Sequence, residues 1–412
     1  MNVLFLTLSD IVSINESGIY SDLLREFVIN NHQVYVISPA ERRKKETTRL
    51  IDNGNIKILK VKTGNIQKAG FIEKGIATLL LEAKIKQSIK RFFSDIVFDL
   101  VLYSTPPITW LSSVEFIKKR DKAKSYLLLK DIFPQNAVDL NILSKSGITS
   151  LAYRFFRRKE EKLYKISDYI GCMSQANVDF IRKNNPWLAA DIVEVCPNSI
   201  APQTLNINEA LIKETREKYR IPLDKTIFIY GGNLGKPQGI DFLIECLKAN
   251  EENDKVFFVV AGSGTEFSKL ASYVYTKRPT NILLFSQLPK QEYERLVCAC
   301  DVGLIFLDKR FSIPNFPSRL LSYMHASMPV LEATDVNTDI GKVIETGKFG
   351  FWCESSNVQE FNKLVKKLCD KNLRRRMGAN ARRYLEENYT SKHSYDIIIK
   401  HFEKEDKGYL NV

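Results

Sequence analysis

Short apolar runs alternate with amphipathic stretches along the whole of this 412-residue chain. In the first half, the runs at 3–8, 33–38, 56–61, 100–103, 125–130, 169–173 and 192–195 have the length and side-chain content of buried strands. Between most of them apolar residues recur at helical spacing, as over 17–30, 71–93, 108–118 and 149–166. Continuous apolar strands separated by helices predict a parallel sheet covered on both faces. Pro197-Asn198-Ser199 ends the last of these strands, and 198–208 reads as a linker. The second half repeats the scheme, with strands at 226–230, 256–261, 282–285, 302–306 and 330–331. Its helices begin near residues 240, 265, 289, 317 and 339, and the tail from 357 to about 404 is helical in pattern. The predicted class is α/β: two Rossmann-like, doubly wound parallel-sheet domains at 1–198 and 199–390. A C-terminal helix at about 391–412 is expected to pack back on the first. Ligands of such sheets bind beyond the carboxyl ends of the strands, so the cleft between the domains is the expected site.

Composition excludes some classes of function. No stretch approaches 18 uninterrupted apolar residues, so no membrane span is expected. The run at 3–8 has no basic leader and ends at Asp10; it reads as a first strand rather than a signal peptide. Seven cysteines are scattered without a Cys-x-x-Cys, which suits reduced thiols in a cytoplasmic protein. With four dispersed histidines, His32, His325, His393 and His401, a metal centre is not expected. The net charge of +13 is uneven: +9 over residues 1–200 and +4 over 201–412. Such a balance suits nucleic acid, an anionic membrane surface or an anionic substrate. No nucleic-acid motif is present, so nucleic acid is not an expected partner.

The chemistry concentrates in the second half. Tyr230-Gly231-Gly232-Asn233-Leu234-Gly235-Lys236-Pro237-Gln238-Gly239 follows one apolar run and precedes Ile240, Phe242, Leu243 and Leu247 at helical spacing. A strand, a glycine-rich turn and a helix make an anion site, because glycines let backbone N–H groups approach and the helix start favours negative charge. Lys236 adds a full positive charge. The turn is neither a P-loop nor a Gly-x-Gly-x-x-Gly fingerprint, and the alternative is a turn that only packs helix on sheet. In a second motif, Phe316-Pro317-Ser318-Arg319-Leu320-Leu321-Ser322-Tyr323, the proline suits a first helical turn. Ser318 and Arg319 then sit near a helix start, where Arg319 can hold a phosphate bidentately. The alternative is a surface arginine. In the first half, Asp131 at a strand's carboxyl end either orients a substrate hydroxyl or closes a turn. Over 149–166, Leu151, Phe155, Phe156 and Leu163 mark an apolar face, with Arg154, Arg157, Arg158, Lys159, Lys162 and Lys165 beside it. Such a helix either lies on anionic lipid or packs on the sheet with its basic face wet.

Taken together, the chain resembles the retaining glycosyltransferases of family four, with the GT-B fold of two facing Rossmann domains. It is most similar there to bacterial transferases of capsule and O-antigen assembly, the L-fucosamine-transferase-like group. The matching motifs are the turn at 232–239, the Pro-Ser-Arg and Ser-Tyr of 317–323, Lys130-Asp131-x-x-Pro134, Pro197-Asn198 and Thr338-Asp339-Ile340-Gly341.

The resemblance implies transfer, with retained configuration, from a nucleotide diphosphate sugar to a lipid-linked or saccharide acceptor. The donor is expected to be a UDP-linked N-acetylated or deoxy amino sugar. Gly232, Asn233, Gly235, Gln238 and Ser318 would hold the donor with Lys236 and Arg319 at its diphosphate, and Ser286 and Leu288 would lie near the base. Ser322 and Asp339 complete the donor set, with Gly18 from the first domain, and Asp131, Lys236 and Arg319 are the candidate catalytic residues. No cofactor or metal is implied, and the enzyme would work in the cytoplasm, peripherally on the inner face of the plasma membrane.

The chain departs from the wider family at three places. Two glutamates are replaced by Pro314 and Ser322. Arg and Lys in the turn are replaced by Asn233 and Gln238, and His-Asp by Lys130-Asp131. A serine in place of the ribose-binding glutamate offers about 1 kcal/mol against roughly 1.5–3 for a charged partner. Two other readings are a catalytically impaired sugar-nucleotide-binding subunit and a same-fold UDP-sugar 2-epimerase, the latter disfavoured by the few histidines.

Overall fold

The computed structural model describes residues 1–65, 71–205 and 208–406. The chain divides into two units, Met1–Ala201 with Thr390–Val412, and Pro202–Tyr389. Part of the expected linker, 206–207, and the end of the expected C-terminal helix, 407–412, lie outside the described residues.

The first unit is built on eight strands: β1 (Asn2–Leu6), β2 (Gln33–Glu41), β3 (Arg49–Asp52), β4 (Ile56–Thr63), β5 (Leu100–Ser104), β6 (Lys124–Leu129), β7 (Tyr169–Cys172) and β8 (Val193–Val195). Their order is β3-β4-β2-β1-β5-β6-β7-β8. All pairs are parallel except β3 with β4. Strand β3 is the one the apolar pattern misses; it is an edge strand, largely exposed, and carries no continuous apolar run. The core holds Val3, Phe5, Leu24, Phe27, Val34, Leu100 and Leu102, joined by Tyr395, Ile398 and Ile399 of the helix Ser391–Asp406.

The second unit has six strands: β9 (Thr226–Asn233), β10 (Val256–Ser263), β11 (Ile282–Phe285), β12 (Val302–Phe306), β13 (Val330–Thr334) and β14 (Gly350–Glu354). The order β11-β10-β9-β12-β13-β14 is that of a doubly wound sheet, and every pair is parallel. The strand order reverses between β9 and β12, so a crevice opens beyond their carboxyl ends. Strand β14 escapes the sequence pattern because only Gly350 and Cys353 of its five residues are buried. Strand β9 runs three residues further than expected, through Gly231, Gly232 and Asn233. Pairing of Gly231, Gly232 and Asn233 with Ala261, Gly262 and Ser263 holds it extended.

Candidate functional site

The glycine turn begins inside the sheet. Gly232 has φ +119, a conformation L side chains rarely adopt. After β9, Gly235 leads into a single 3-10 turn, Lys236–Gln238, and Gly239 in the left-handed region (φ 55) starts the helix Ile240–Lys248. The expected direct passage from turn to helix is thus interrupted by this 3-10 turn. Three of the expected donor ligands, Asn233, Gly235 and Gln238, are spent on the turn itself. Asn233 donates its side-chain amide to Gln238 Oε1 at 2.8 Å, and the Gly235 N–H donates to the same oxygen at 3.2 Å. A Cβ on Gly235 would come 2.9 Å from Asn233 Nδ2, which explains the glycine. Lys236 is exposed and has no ion-pair partner among the described residues.

Sequence reasoning missed a second glycine pair that supports this turn. A Cβ on Gly262 would strike the Gly232 carbonyl, and one on Gly264 the Leu234 backbone. The signal was present as Gly262-Ser263-Gly264 at the end of a predicted strand, but only the β9–β10 register shows what it touches.

Arg319 opens the short helix Arg319–His325, with Ser318 at its N-cap. Its position is set four residues on, where Tyr323 lies on the same helix face. The buried Tyr323 hydroxyl accepts from the Gly231 N–H at 3.3 Å and lies 3.2 Å from both Ile229 O and Leu304 O. This pins the helix to β9 and β12. The Arg319 guanidinium then stacks on the Tyr230 ring, 4.3 Å from its centroid. Its Nη2 lies 3.5 Å from where a Cβ on Gly232 would be. Its Nη1 is buried without a hydrogen-bond partner, and no carboxylate pairs with it among the described residues. Burial pushes the Tyr293 phenol up to about 12 and raises those of Tyr230 and Tyr323, so the surrounding hydroxyls stay neutral. Gly232 and Arg319, from two separate motifs, are therefore brought together around a cation that lacks an anion.

The remaining candidates are placed as follows. Ser286 is exposed and Leu288 half-buried just beyond β11, while Ser318 and Ser322 are exposed on the Arg319 helix. Asp339 is half-buried at the start of the helix Ile340–Thr346. Gly18 and Asp131 belong to the first unit. The Gly18 N–H, the group a donor would use, donates to Asp22 Oδ1 at 3.0 Å. Its extended backbone (φ 172) is open to any residue, so nothing local requires glycine there. Asp131 follows β6, and both its oxygens accept from Asn136 Nδ2, at 2.8 and 2.9 Å. The neighbouring Lys130 is half-buried and donates to the Cys196 carbonyl at 3.2 Å; desolvation lowers its affinity for a proton. His32 bonds the Tyr395 hydroxyl at 3.0 Å. Among the described residues no group of three His, Cys, Asp or Glu side chains could hold a metal ion, and no helix is long and apolar enough to cross a membrane.

Residues 212–384, which include the glycine turn and Arg319, match the family described as Glycosyl transferases group 1. Over 302 residues the chain is 25% identical to a protein of Pseudomonas aeruginosa named "Probable glycosyltransferase WbjE", covering 71% of each. The chain is a glycosyltransferase. Its fold is the two-domain GT-B fold. One solved structure that shares it is Alr3699/HepE of Anabaena in complex with UDP and glucose, at a TM-score of 0.70 and 15% identity over 98% of this glycosyltransferase and 100% of that chain. Another is WaaG, a glycosyltransferase involved in lipopolysaccharide biosynthesis, at a TM-score of 0.65 and 15% identity over 96% and 99%.

Proposed function

We propose that this glycosyltransferase moves an N-acetylated or deoxy amino sugar from UDP to a lipid-linked or saccharide acceptor, with retained configuration. The setting is the assembly of a bacterial capsule or O-antigen, and the group is that of the L-fucosamine transferases. One observation carries the donor reading: the Arg319 guanidinium, buried at Nη1 without a partner beside the positive-φ Gly232. A buried cation without an anion is costly, and a diphosphate supplies the missing charge. The UDP-bound structure of the Anabaena protein and the part of WaaG in lipopolysaccharide biosynthesis support the substrate class.

In this reading the glycosidic bond to the β-phosphate breaks as the bond to the acceptor oxygen forms, and the acceptor's hydroxyl proton passes to the leaving phosphate oxygen. Negative charge grows on the leaving diphosphate. Arg319 and the exposed Lys236 neutralise it, a task that preorganised cations perform without reorganisation during the reaction. No metal is assigned a part. Ser286 and Leu288 border the base, Ser318, Ser322 and Asp339 the sugar and ribose, and Asp131 orients the acceptor hydroxyl.

The test is incubation of purified protein with UDP-sugars and bacterial membranes, following UDP release and the anomeric configuration of the product by NMR. Release that needs both donor and membranes supports the reading. UDP binding without any release makes the protein a sugar-nucleotide-binding subunit. Activity lost on adding EDTA and restored by a divalent cation overturns the metal-free diphosphate assignment.

A further inference from the structure

The helix Ser150–Ile166 divides its apolar residues between two sides. Glu160, Leu163 and Tyr164 are buried in the first unit. Leu151 and Phe155, read from the sequence as part of the same apolar face as Leu163, are instead 75% and 45% exposed. Ile148, just before the helix, is 99% exposed. Single exposed apolar side chains are ordinary, but a cluster marks an interaction surface. Leu151 and Phe155 are four apart on the helix, and Ile148 lies in the turn that leads into it.

The adjacent stripe is cationic. Arg154, Arg158 and Lys162, spaced four apart, are exposed, and none has an acidic partner among the described residues. Lys165 is also exposed, over the Trp187 ring at 4.9 Å, while two of the helix's cations are committed to carboxylates. Arg157 pairs with Glu160 at 2.5 Å and Glu161 at 3.3 Å, and Lys159 pairs with Glu82 at 2.9 Å. Arg154, Arg158 and Lys162 thus leave unpaired charge beside the exposed apolar residues.

We propose that this surface docks the enzyme on an anionic lipid bilayer. Ile148, Leu151 and Phe155 enter the boundary between headgroups and acyl chains, while Arg154, Arg158 and Lys162 lie at the headgroup phosphates. The charge complementarity selects an anionic membrane over a neutral one. The proposal stands apart from the donor reading, because none of these residues belongs to the glycine turn or the Arg319 helix.

The full-length protein is sedimented with phosphatidylcholine vesicles containing or lacking phosphatidylglycerol, at low and high salt. Wild type should sediment only with the anionic vesicles and should be released by salt, since screening shortens the reach of exposed charges. Replacing Arg154, Arg158 and Lys162 by glutamine should weaken partitioning about a hundredfold, from about 1 kcal/mol per basic residue. The pair Leu151→Ser and Phe155→Ser should weaken it about tenfold or more. Both variants should keep the wild-type melting temperature and UDP affinity, which separates loss of docking from loss of fold or of donor binding. Wild type left in the supernatant with anionic vesicles at low salt overturns the proposal and leaves the surface to an acidic protein partner. Wild-type sedimentation by both variants also overturns it.

Discussion

At Arg319 Nη1, water has been given up without a carboxylate in exchange, and the guanidinium stacks on the ring of Tyr230. Removing the charge should therefore cost the donor complex about 1.5–3 kcal/mol, the range for a hydrogen bond to a charged group. Calorimetry of UDP binding to Arg319→Ala checks this, and Arg319→Lys should recover only part, since an ammonium cannot span two phosphate oxygens. Unchanged UDP affinity in a folded Arg319→Ala protein would remove the diphosphate assignment. Gly232→Val acts at the same place twice over: it strains a φ of +119 and sets a branched side chain beside Arg319 Nη2. Turnover should be lost more completely than in Arg319→Ala, and normal turnover contradicts the cradle. A different kind of residue is Glu332, fully buried with neither oxygen hydrogen-bonded. Burial, reinforced by the Asp335 and Asp339 carboxylates, holds its proton far above the ordinary value of 4.5. The unfolded chain loses that proton near the ordinary value and the folded one does not. Stability is therefore full below that value and falls as pH rises towards the folded one, by up to ~1.4 kcal/mol per pH unit. Melting curves across this range should slope downward in the wild type and less so in Glu332→Gln; parallel curves would show that Glu332 is ionised in the fold.

Among the elements, the helix Arg319–His325 shows how a motif is aimed. Its placement rests on one hydroxyl, that of Tyr323, which meets the Gly231 N–H and two strand carbonyls. Tyr323→Phe leaves these buried groups without that partner, at about 1–3 kcal/mol of stability. It should also weaken UDP binding without touching UDP, by freeing the helix that carries Arg319. A melting-temperature loss with UDP affinity unchanged would show that the helix is held by packing alone. The glycine turn and Arg319 could be found from sequence because strand, turn and helix start are local patterns. Their supports could not. Tyr293, whose ring occupies the space where a Cβ on Gly231 would lie, and Gly262, against the Gly232 carbonyl, enter only through register between distant segments. Asn233 and Gln238 are legible as turn residues, but their mutual hydrogen bond is a matter of side-chain direction that spacing cannot give. On the helix Ser150–Ile166 the apolar residues were visible; which of them the sheet would cover was not, because Glu160, paired with Arg157, takes a buried place.

For the molecule as a whole, the alternation of apolar runs and amphipathic stretches was enough to define two parallel sheets, since buried parallel strands are apolar throughout. The missing strands, Arg49–Asp52 and Gly350–Glu354, are both at sheet edges, where one-sided burial erases that signal. The two units differ in how the chain builds them: Pro202–Tyr389 is continuous, while the first unit also includes the segment from Thr390. That segment is integral to the first core. Tyr395, Ile398 and Ile399 are buried, His32 bonds Tyr395 at 3.0 Å, Ser391 donates to Glu26 at 2.7 Å, and His401 stacks on Tyr169 at 3.8 Å. At roughly 1.5–3 kcal/mol per fully buried large apolar side chain, losing these three costs several kcal/mol. Domains are stable by only about 5–15 kcal/mol. Truncation after Tyr389 should therefore unfold or strongly destabilise the first unit while leaving the second folded. Calorimetric scans should show one transition lost or shifted far down and the other retained. Isothermal titration should show UDP affinity near that of the full chain, because the glycine turn and Arg319 lie in the continuous unit. A truncated protein that melts as the full chain does would show that the helix Ser391–Asp406 contributes little to the first core. One that melts as two units but no longer binds UDP would place an essential part of the donor site outside Pro202–Tyr389.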